Sequence, residues 1–198
     1  MVSWKRVADV ISEFSVPCLP EVAPAWAGGY KVPMPIAPKK ASESQSHITW
    51  IVQPEDLNIH GSLFGGRLLS LMDKCAAMAA MRHSRRNCVT VSIDKVDFVA
   101  PVKHGFLLDL TARVHFTART SMELYVNAIA ENPLTGDRKP VCDAFFSFVA
   151  LDGDNTPTAV PPVELETDED RQFNAEAQAR YDARKAGKIS SRTRIVGK

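Results

Sequence analysis

The stretch from Asn58 to His83, NIHGSLFGGRLLSLMDKCAAMAAMRH, constrains the fold more than any other part of the chain. After a short loop it is apolar on nearly every side for about five helical turns, a pattern that calls for burial rather than a surface position. Yet it opens on two glycines and carries one carboxylate, Asp73, near its centre. On a helical wheel Leu68, Leu71, Cys75 and Met78 form one stripe, the natural face for a sheet. Gly66, Leu69, Asp73, Ala76, Ala77 and Ala80 fall on another, and Arg67, Ser70 and Lys74 on a third. Asp73 therefore sits among small residues that leave room for something to approach.

The sheet that would cover this helix is read from five runs rich in Val, Ile, Phe and Thr: HITWIVQ before it, then CVTVSIDKVDFV, FLLDLTARVHFT, SMELYVNAIAEN and PVCDAFFSFVAL. ARTS is a tight connection, and NPLTGDRKP is a hairpin loop with Gly136 at the turn. Short links predict antiparallel neighbours, so a meander is expected after the first strand. The implied fold class is α+β, an antiparallel sheet wrapped around a long central helix, with a further helix at the C-terminal side.

Around that domain, placed at residues 47–163, the texture changes. Residues 1–46 read as a Pro-rich, weakly ordered extension. It holds a short amphipathic helix in SWKRVADVISEF, and Trp26 and Tyr30 could pack back on the domain. Residues 164–187 read as a helix, acidic at its start and basic at its end as the macrodipole favours, and polar nearly all round, so it is expected on the surface. Residues 188–198 read as a flexible tail.

With 198 residues and 45% hydrophobic content, the chain suits one domain with a substantial core. A formal net charge of +1 gives no footprint for a nucleic-acid partner. Cys18, Cys75, Cys88 and Cys142 lack C-x-x-C spacing and read as core thiols in a reducing compartment, not as a zinc site. No run approaches the roughly 18 apolar residues of a membrane span. Lys5 and Arg6 carry charge near the start, but Asp9 and Glu13 break up the apolar run beyond them, so no signal peptide is expected. The expectation is a cytoplasmic protein without membrane or nucleic-acid partners.

Asp73 has a structural reading, in which it pairs with Lys74 or another basic residue at a subunit contact. Three features point elsewhere. Gly65 and Gly66 open the helix behind an expected N-cap at Ser62, and glycines let a ligand reach bare N–H groups at the positive end of the dipole, as an oxyanion requires. Their alternative is a close backbone contact with a strand. Asn58 and His60 precede them: Asn can orient a water or a carbonyl and His can act as a base, although an Asn in a loop also serves turns. Finally, eight residues separate Gly65 from Asp73, about 12 Å along a helix. One carbonyl cannot touch both within one chain, so joint action requires a second, antiparallel copy.

Four motifs, DLNIHGSLFGGRLLSLMDKCAAMAA, VDFVAPVKHG, ARTSMELYV and AFFSFVALD, resemble in order and spacing the hotdog-fold acyl-CoA thioesterases, in the branch of the cytosolic acyl-CoA hydrolases. The resemblance covers residues 47–182. It implies hydrolysis of acyl-CoA to free fatty acid and coenzyme A, a dimer with shared active sites, often a trimer of dimers, and no metal or cofactor beyond the coenzyme A of the substrate. It implies that Asp73 and Asn58 carry catalysis, that the Gly65 N–H polarises the thioester carbonyl, and that Gly66 and His60 lie beside the substrate. The family's G-R-T-S turn near the coenzyme reads here as Ala118, Arg119, Thr120 and Ser121, so Ala118 must bend the turn without a glycine. Arg119, with Arg85 and Arg86, would meet the coenzyme phosphates; the alternative for RHSRRN is a helix C-terminus favoured by the dipole. Asp73 as general base on water, or as direct nucleophile, both remain open. The rival readings are a non-catalytic acyl-CoA-binding regulator and a hydratase or dehydratase of the same fold.

Overall fold

The computed structural model of the chain describes residues 37–195, with side chains through residue 186. Trp26, Tyr30 and the expected N-terminal helix lie outside the described residues. In chain order the elements are β1 (Lys39–Lys40), β2 (Ser46–Ile51), α1 (Gly65–Ser84), β3 (Asn87–Phe98), β4 (Leu107–Thr117), β5 (Ser121–Glu131), β6 (Arg138–Leu151), β7 (Val163–Glu164) and α2 (Asp168–Ile195), with short 3-10 turns at Ser42–Ser44 and Pro54–Asp56. β2, β4, β5, β6 and β3 lie side by side in that order in one antiparallel sheet, and β1 pairs with β7 in parallel.

The period of two read from the sequence places Leu108, Leu110, Ala112 and Val114 of β4 and Leu124, Val126, Ala128 and Ala130 of β5 inward, all buried. They meet Leu68, Leu71, Met72, Cys75, Ala76 and Ala79 of α1 in one core with Phe146 and Phe148 of β6. α1 touches all five strands. A flat five-stranded sheet is about 19 Å wide and a helix about 10 Å across, so this contact requires the sheet to curl. Bulges in β3, β4 and between β5 and β6 provide the bend. Met72 is fully buried and Met78 only half-buried, so Met72 takes the sheet-facing place expected for Met78. Ala76 and Ala80, read as sharing Asp73's face, are wholly buried, because the sheet wraps further round the helix than a single stripe implies.

Three further expectations are corrected. β3 lies against β6, not β4. β2 occupies the free edge of β4, and residues 99–106 carry the chain from β3 to β4: eight residues reach about 26 Å, against about 14 Å for three strand spacings. Secondly, residues 37–46 are integral to the domain rather than loosely ordered. β1 pairs with β7, and Ser44 Oγ meets Nδ1 of the fully buried His83 at 2.8 Å. His83 Nε2 lies 3.0 Å from the Pro161 carbonyl, which can only accept, so Nε2 carries the hydrogen and Nδ1 accepts from Ser44. Burial lowers the His83 pKa and keeps the ring neutral.

Thirdly, α2 begins at Asp168 and runs to Ile195 rather than spanning 164–187. Thr167 Oγ1 accepts from the Asp170 N–H and Asp170 Oδ2 from the Thr167 N–H, a reciprocal cap that sets the start, while Val163 and Glu164 go to β7. α2 lies on the outer face of the sheet, where a polar stripe meets polar partners. Arg180 and Arg184 bond Glu123, whose side chain is 2% exposed, and Arg184 also reaches Asp94. Arg113 bonds Asp170, Phe173 stacks on Tyr125, and Arg180 lies over the Phe145 ring. No helix among the described residues is long and apolar enough to cross a membrane.

Under α2, burial, reinforced by the neighbouring Arg113 and Arg180 charges and opposed by Asp170, pushes the His115 pKa down to about 4. The unfolded chain takes up this proton near the ordinary value of 6.5 and the folded chain does not, so stability falls as pH drops from about 6.5 to about 4 and then levels. The full loss from His115 is on the order of 3 kcal/mol, and His83 adds to it in the same sense. His115→Gln is expected to reduce the slope of unfolding free energy in that window by about 1.4 kcal/mol per pH unit, measured by urea unfolding at pH 7, 5.5 and 4.5. An unchanged slope would show that His115 takes up its proton in the folded state.

Candidate active site

The loop before α1 is organised by two side chains. Asn58 Oδ1 accepts from the N–H groups of His60 (2.8 Å) and Ser62 (3.3 Å), and its Nδ2 donates to Ser62 Oγ (3.1 Å). The turn closes through Gly61, whose φ of +74° suits glycine. Asn58 is thus a turn residue here, with one Nδ2 hydrogen not engaged by any described residue; His60 is exposed and contributes its backbone to the same turn. Asp56, missed in the sequence, is 2% exposed and accepts from the Trp50 indole, the Gln53 N–H and Arg67 Nε, while its carbonyl accepts from the Phe64 N–H. Burial alone would raise the Asp56 carboxyl, yet these donors hold it below the ordinary carboxylate range. It ties the loop to the first turn of α1.

α1 starts without a side-chain cap. The N-cap is Phe64, not Ser62, whose hydroxyl is engaged with Asn58. The Phe64 carbonyl accepts from Arg67 and Leu68, and no described residue accepts from the N–H of Gly65 or Gly66. What the glycines accommodate is aromatic rather than strand backbone. A Cβ on Gly65 would stand 3.4 Å from Cζ of Phe98, and one on Gly66 2.6 Å from Cε1 of Phe64. Beside Gly65 a pocket of about 310 Å³ opens, walled by Leu63, Leu68, Phe98, Val99 and Val102.

Asp73 lies at the border between the buried and open sides of α1. Its Oδ1 accepts from Thr90 Oγ1 of β3 at 2.7 Å, and no described residue bonds its Oδ2. The Lys74 pairing of the structural reading is not formed. The open side carries Gly66, Ser70 and Met81 beside half-buried Asp73 and Ala77, and it adjoins β3, an edge strand with Val91 and Phe98 exposed. Thr90 carries no signal in the sequence, because a threonine in a strand bears no local mark of what it faces.

Gly65 sits by Phe98 and Asp73 by Thr90, so one chain does not bring helix start and acid together. Arg119, Thr120 and Ser121 form the β4–β5 turn, at the end of the sheet where α1 finishes rather than where it starts. Ala118 donates to the Ser121 carbonyl at 2.8 Å without a positive φ, so the missing glycine imposes no strain. Arg119 is exposed, and its carbonyl accepts from Val160. The end of α1 is basic: Arg85 is its left-handed C-cap, Lys39 Nζ donates to the Arg82 carbonyl, and burial and the Arg85 charge lower the Lys39 pKa.

The sequence profile of the Thioesterase superfamily matches residues 60–136. The chain is 40% identical over 149 residues to the uncharacterized acyl-CoA thioester hydrolase YkhA of Bacillus subtilis, covering 75% of this chain and 87% of that protein. It is 33% identical to the cytosolic acyl coenzyme A thioester hydrolase of Rattus norvegicus over 75% of this chain, and spans 40% of that longer protein. An apo-hexameric acyl-CoA thioesterase superposes with a TM-score of 0.73 at 39% identity, covering 76% of this chain and 96% of its own. The acyl-CoA hydrolase of Staphylococcus aureus, in complex with butyryl coenzyme A, coenzyme A and coenzyme A disulfide, superposes with a TM-score of 0.72 at 36% identity, covering 79% and 96%. That hydrolase has also been solved with a single Asp, Asn or Thr replaced by Ala. A helix wrapped by a five-stranded antiparallel sheet, a glycine-opened helix start and this level of identity agree: the chain belongs to the hotdog-fold thioesterase superfamily.

Proposed function

We propose that this chain is an acyl-CoA thioesterase, hydrolysing acyl-CoA to a free fatty acid and coenzyme A. The observation that carries the reading is Asp73, the one carboxylate of α1, aimed by Thr90 and with one oxygen that no described residue engages on an open helix face. The thioester carbonyl accepts from the Gly65 N–H, where the uncapped helix start concentrates positive potential. Asp73 of a second copy takes a proton from water as the water attacks the carbonyl carbon. Collapse of the tetrahedral intermediate breaks the C–S bond, and the proton passes from Asp73 to the leaving thiolate. Thr90 holds the carboxylate in place, and the remaining Nδ2 hydrogen of Asn58 positions water or substrate. His60 and Gly66 border the substrate.

The two-subunit site follows from the separation of Gly65 and Asp73, and the open face of α1 with the free edge of β3 is the proposed contact. The hexameric relative supports a trimer of such dimers. Arg119, Thr120 and Ser121 are the proposed coenzyme turn, with Arg85 and Arg86 adding positive charge for the phosphates. The free thiols Cys75, Cys88 and Cys142 suit the cytoplasm as compartment.

Free-thiol release from a panel of acyl-CoAs tests the activity. Asp73→Asn preserves size and polarity but removes the base, so kcat should fall by about 10²-fold or more with melting temperature and oligomer size retained. Near-normal turnover would return Asp73 to a structural role. Thr90→Val removes the hydrogen bond to Asp73, and a loss of about 1.5 kcal/mol corresponds to about tenfold in kcat, with KM little changed; a change confined to KM would place Thr90 on the substrate instead. Arg119→Ala should raise KM for acyl-CoA about tenfold, on the scale of one charge-assisted contact, and spare a short thioester lacking the nucleotide. Equal losses on both would remove Arg119 from the phosphate site.

A further inference from the structure

The pocket beside Gly65 bears on which substrate the site selects. Gly65 borders that pocket and also presents the unpartnered N–H at the helix start, so a carbonyl held there places one of its two substituents in the pocket. The pantetheine arm carries amides that need hydrogen-bond partners, and burying them without partners is costly. An alkyl chain needs none. No charged, amide or hydroxyl side chain lines the pocket; its polar surface is backbone alone, and the greater part of its lining is apolar. The acyl chain is therefore the substituent that fits.

Of the two phenyl rings at the helix start, one limits this space. Phe98 is 56% exposed and walls the pocket against Gly65, while Phe64, 57% exposed, lies over Gly66. Neither ring is buried in the core, yet both stand where glycine leaves room for them. We propose that the pocket receives an unsubstituted hydrocarbon acyl chain and that Phe98 is the residue that sets its length. This rests on the thioesterase reading. The pocket is partly open to solvent, so the limit on chain length is set by where Phe98 stands rather than by a closed volume. Each methylene buried is worth about fourfold, so kcat/KM climbs with chain length until the chain reaches Phe98 and then levels. A succinyl group, which would bury an unpaired carboxylate, is a poor substrate.

The test is kcat/KM by thiol release for the full chain and for Phe98→Ala, Phe98→Leu and Phe98→Trp, on straight acyl-CoAs from two to sixteen carbons and on succinyl-CoA, with light scattering on each sample. The expected result is a rise with chain length to a plateau in the unchanged chain. In Phe98→Ala it moves to longer chains, raising the ratio of sixteen-carbon to four-carbon kcat/KM about tenfold; in Phe98→Trp it moves to shorter ones. Phe98→Leu keeps the inference testable if the alanine variant does not fold. A profile that no variant shifts, or equal loss on every chain length with dissociation of the oligomer, would overturn it and make Phe98 a subunit contact. Succinyl-CoA hydrolysed as well as butyryl-CoA would overturn the apolar selection. An unchanged chain inactive on every acyl-CoA would instead reject the thioesterase reading, and this inference with it.

Discussion

α1 lies in contact with every strand of a sheet that must curl to reach it, and the placement of each site residue depends on that enclosure. Large and small side chains share the surfaces that meet: Leu68, Leu71 and Met72 beside Ala76 and Ala79 on the helix, Leu108, Leu110, Phe146 and Phe148 beside Ala112, Ala128 and Ala130 on the strands. Close packing over this area is what tolerates glycines at the helix start, each about 1 kcal/mol less favourable than alanine inside a helix. It also leaves one side of α1 uncovered, between Gly66 and Met81. The enclosure ends where Asp73 begins.

The two ends of the enclosed helix are electrically unlike. At Gly65 the backbone donors are uncapped, and Asp56 secures the loop from behind without occupying them. At Ser84 the carbonyl end is met by Lys39 and by Arg85 in the left-handed conformation. Charge opposes the dipole at the C-terminal end, whereas the positive end is left for whatever binds there. A cap at the start would have stabilised the helix by about 1 kcal/mol and blocked it.

Much of this was legible because it is local. The alternation in residues 107–117, the hairpin at Gly136 and the apolar run of α1 each report their own geometry within a few residues. What was not legible depends on partners distant in the chain. β3 belongs beside β6 because β2, which precedes the helix, has taken the edge of β4. Residues 37–46 look loose as a string of Pro, Ser and Lys, but Ser44 and Lys39 find His83 and Arg82 some forty residues on. α2 looked polar on all sides since its inward stripe, Asp170, Arg180 and Arg184, is charged, and only the buried Glu123 and the Arg113 beneath it reveal that stripe as a contact face. At the site, the glycines and Asp73 stood out as local exceptions to a helical pattern, whereas Thr90 conformed to its strand and could be recognised only across the gap to α1.

The pairing of β1 with β7 joins Lys39 to Val163 and Lys40 to Glu164, so the first and last strands of the domain run alongside each other. This seam encloses more than a hundred residues, and its two-residue strands are too short to offset early the entropy of closing so long a loop. It therefore belongs to the last stage of folding, after the helix and the five strands have assembled. The same adjacency has a topological consequence. The pairing closes residues 39–164 into a ring from which α2 departs.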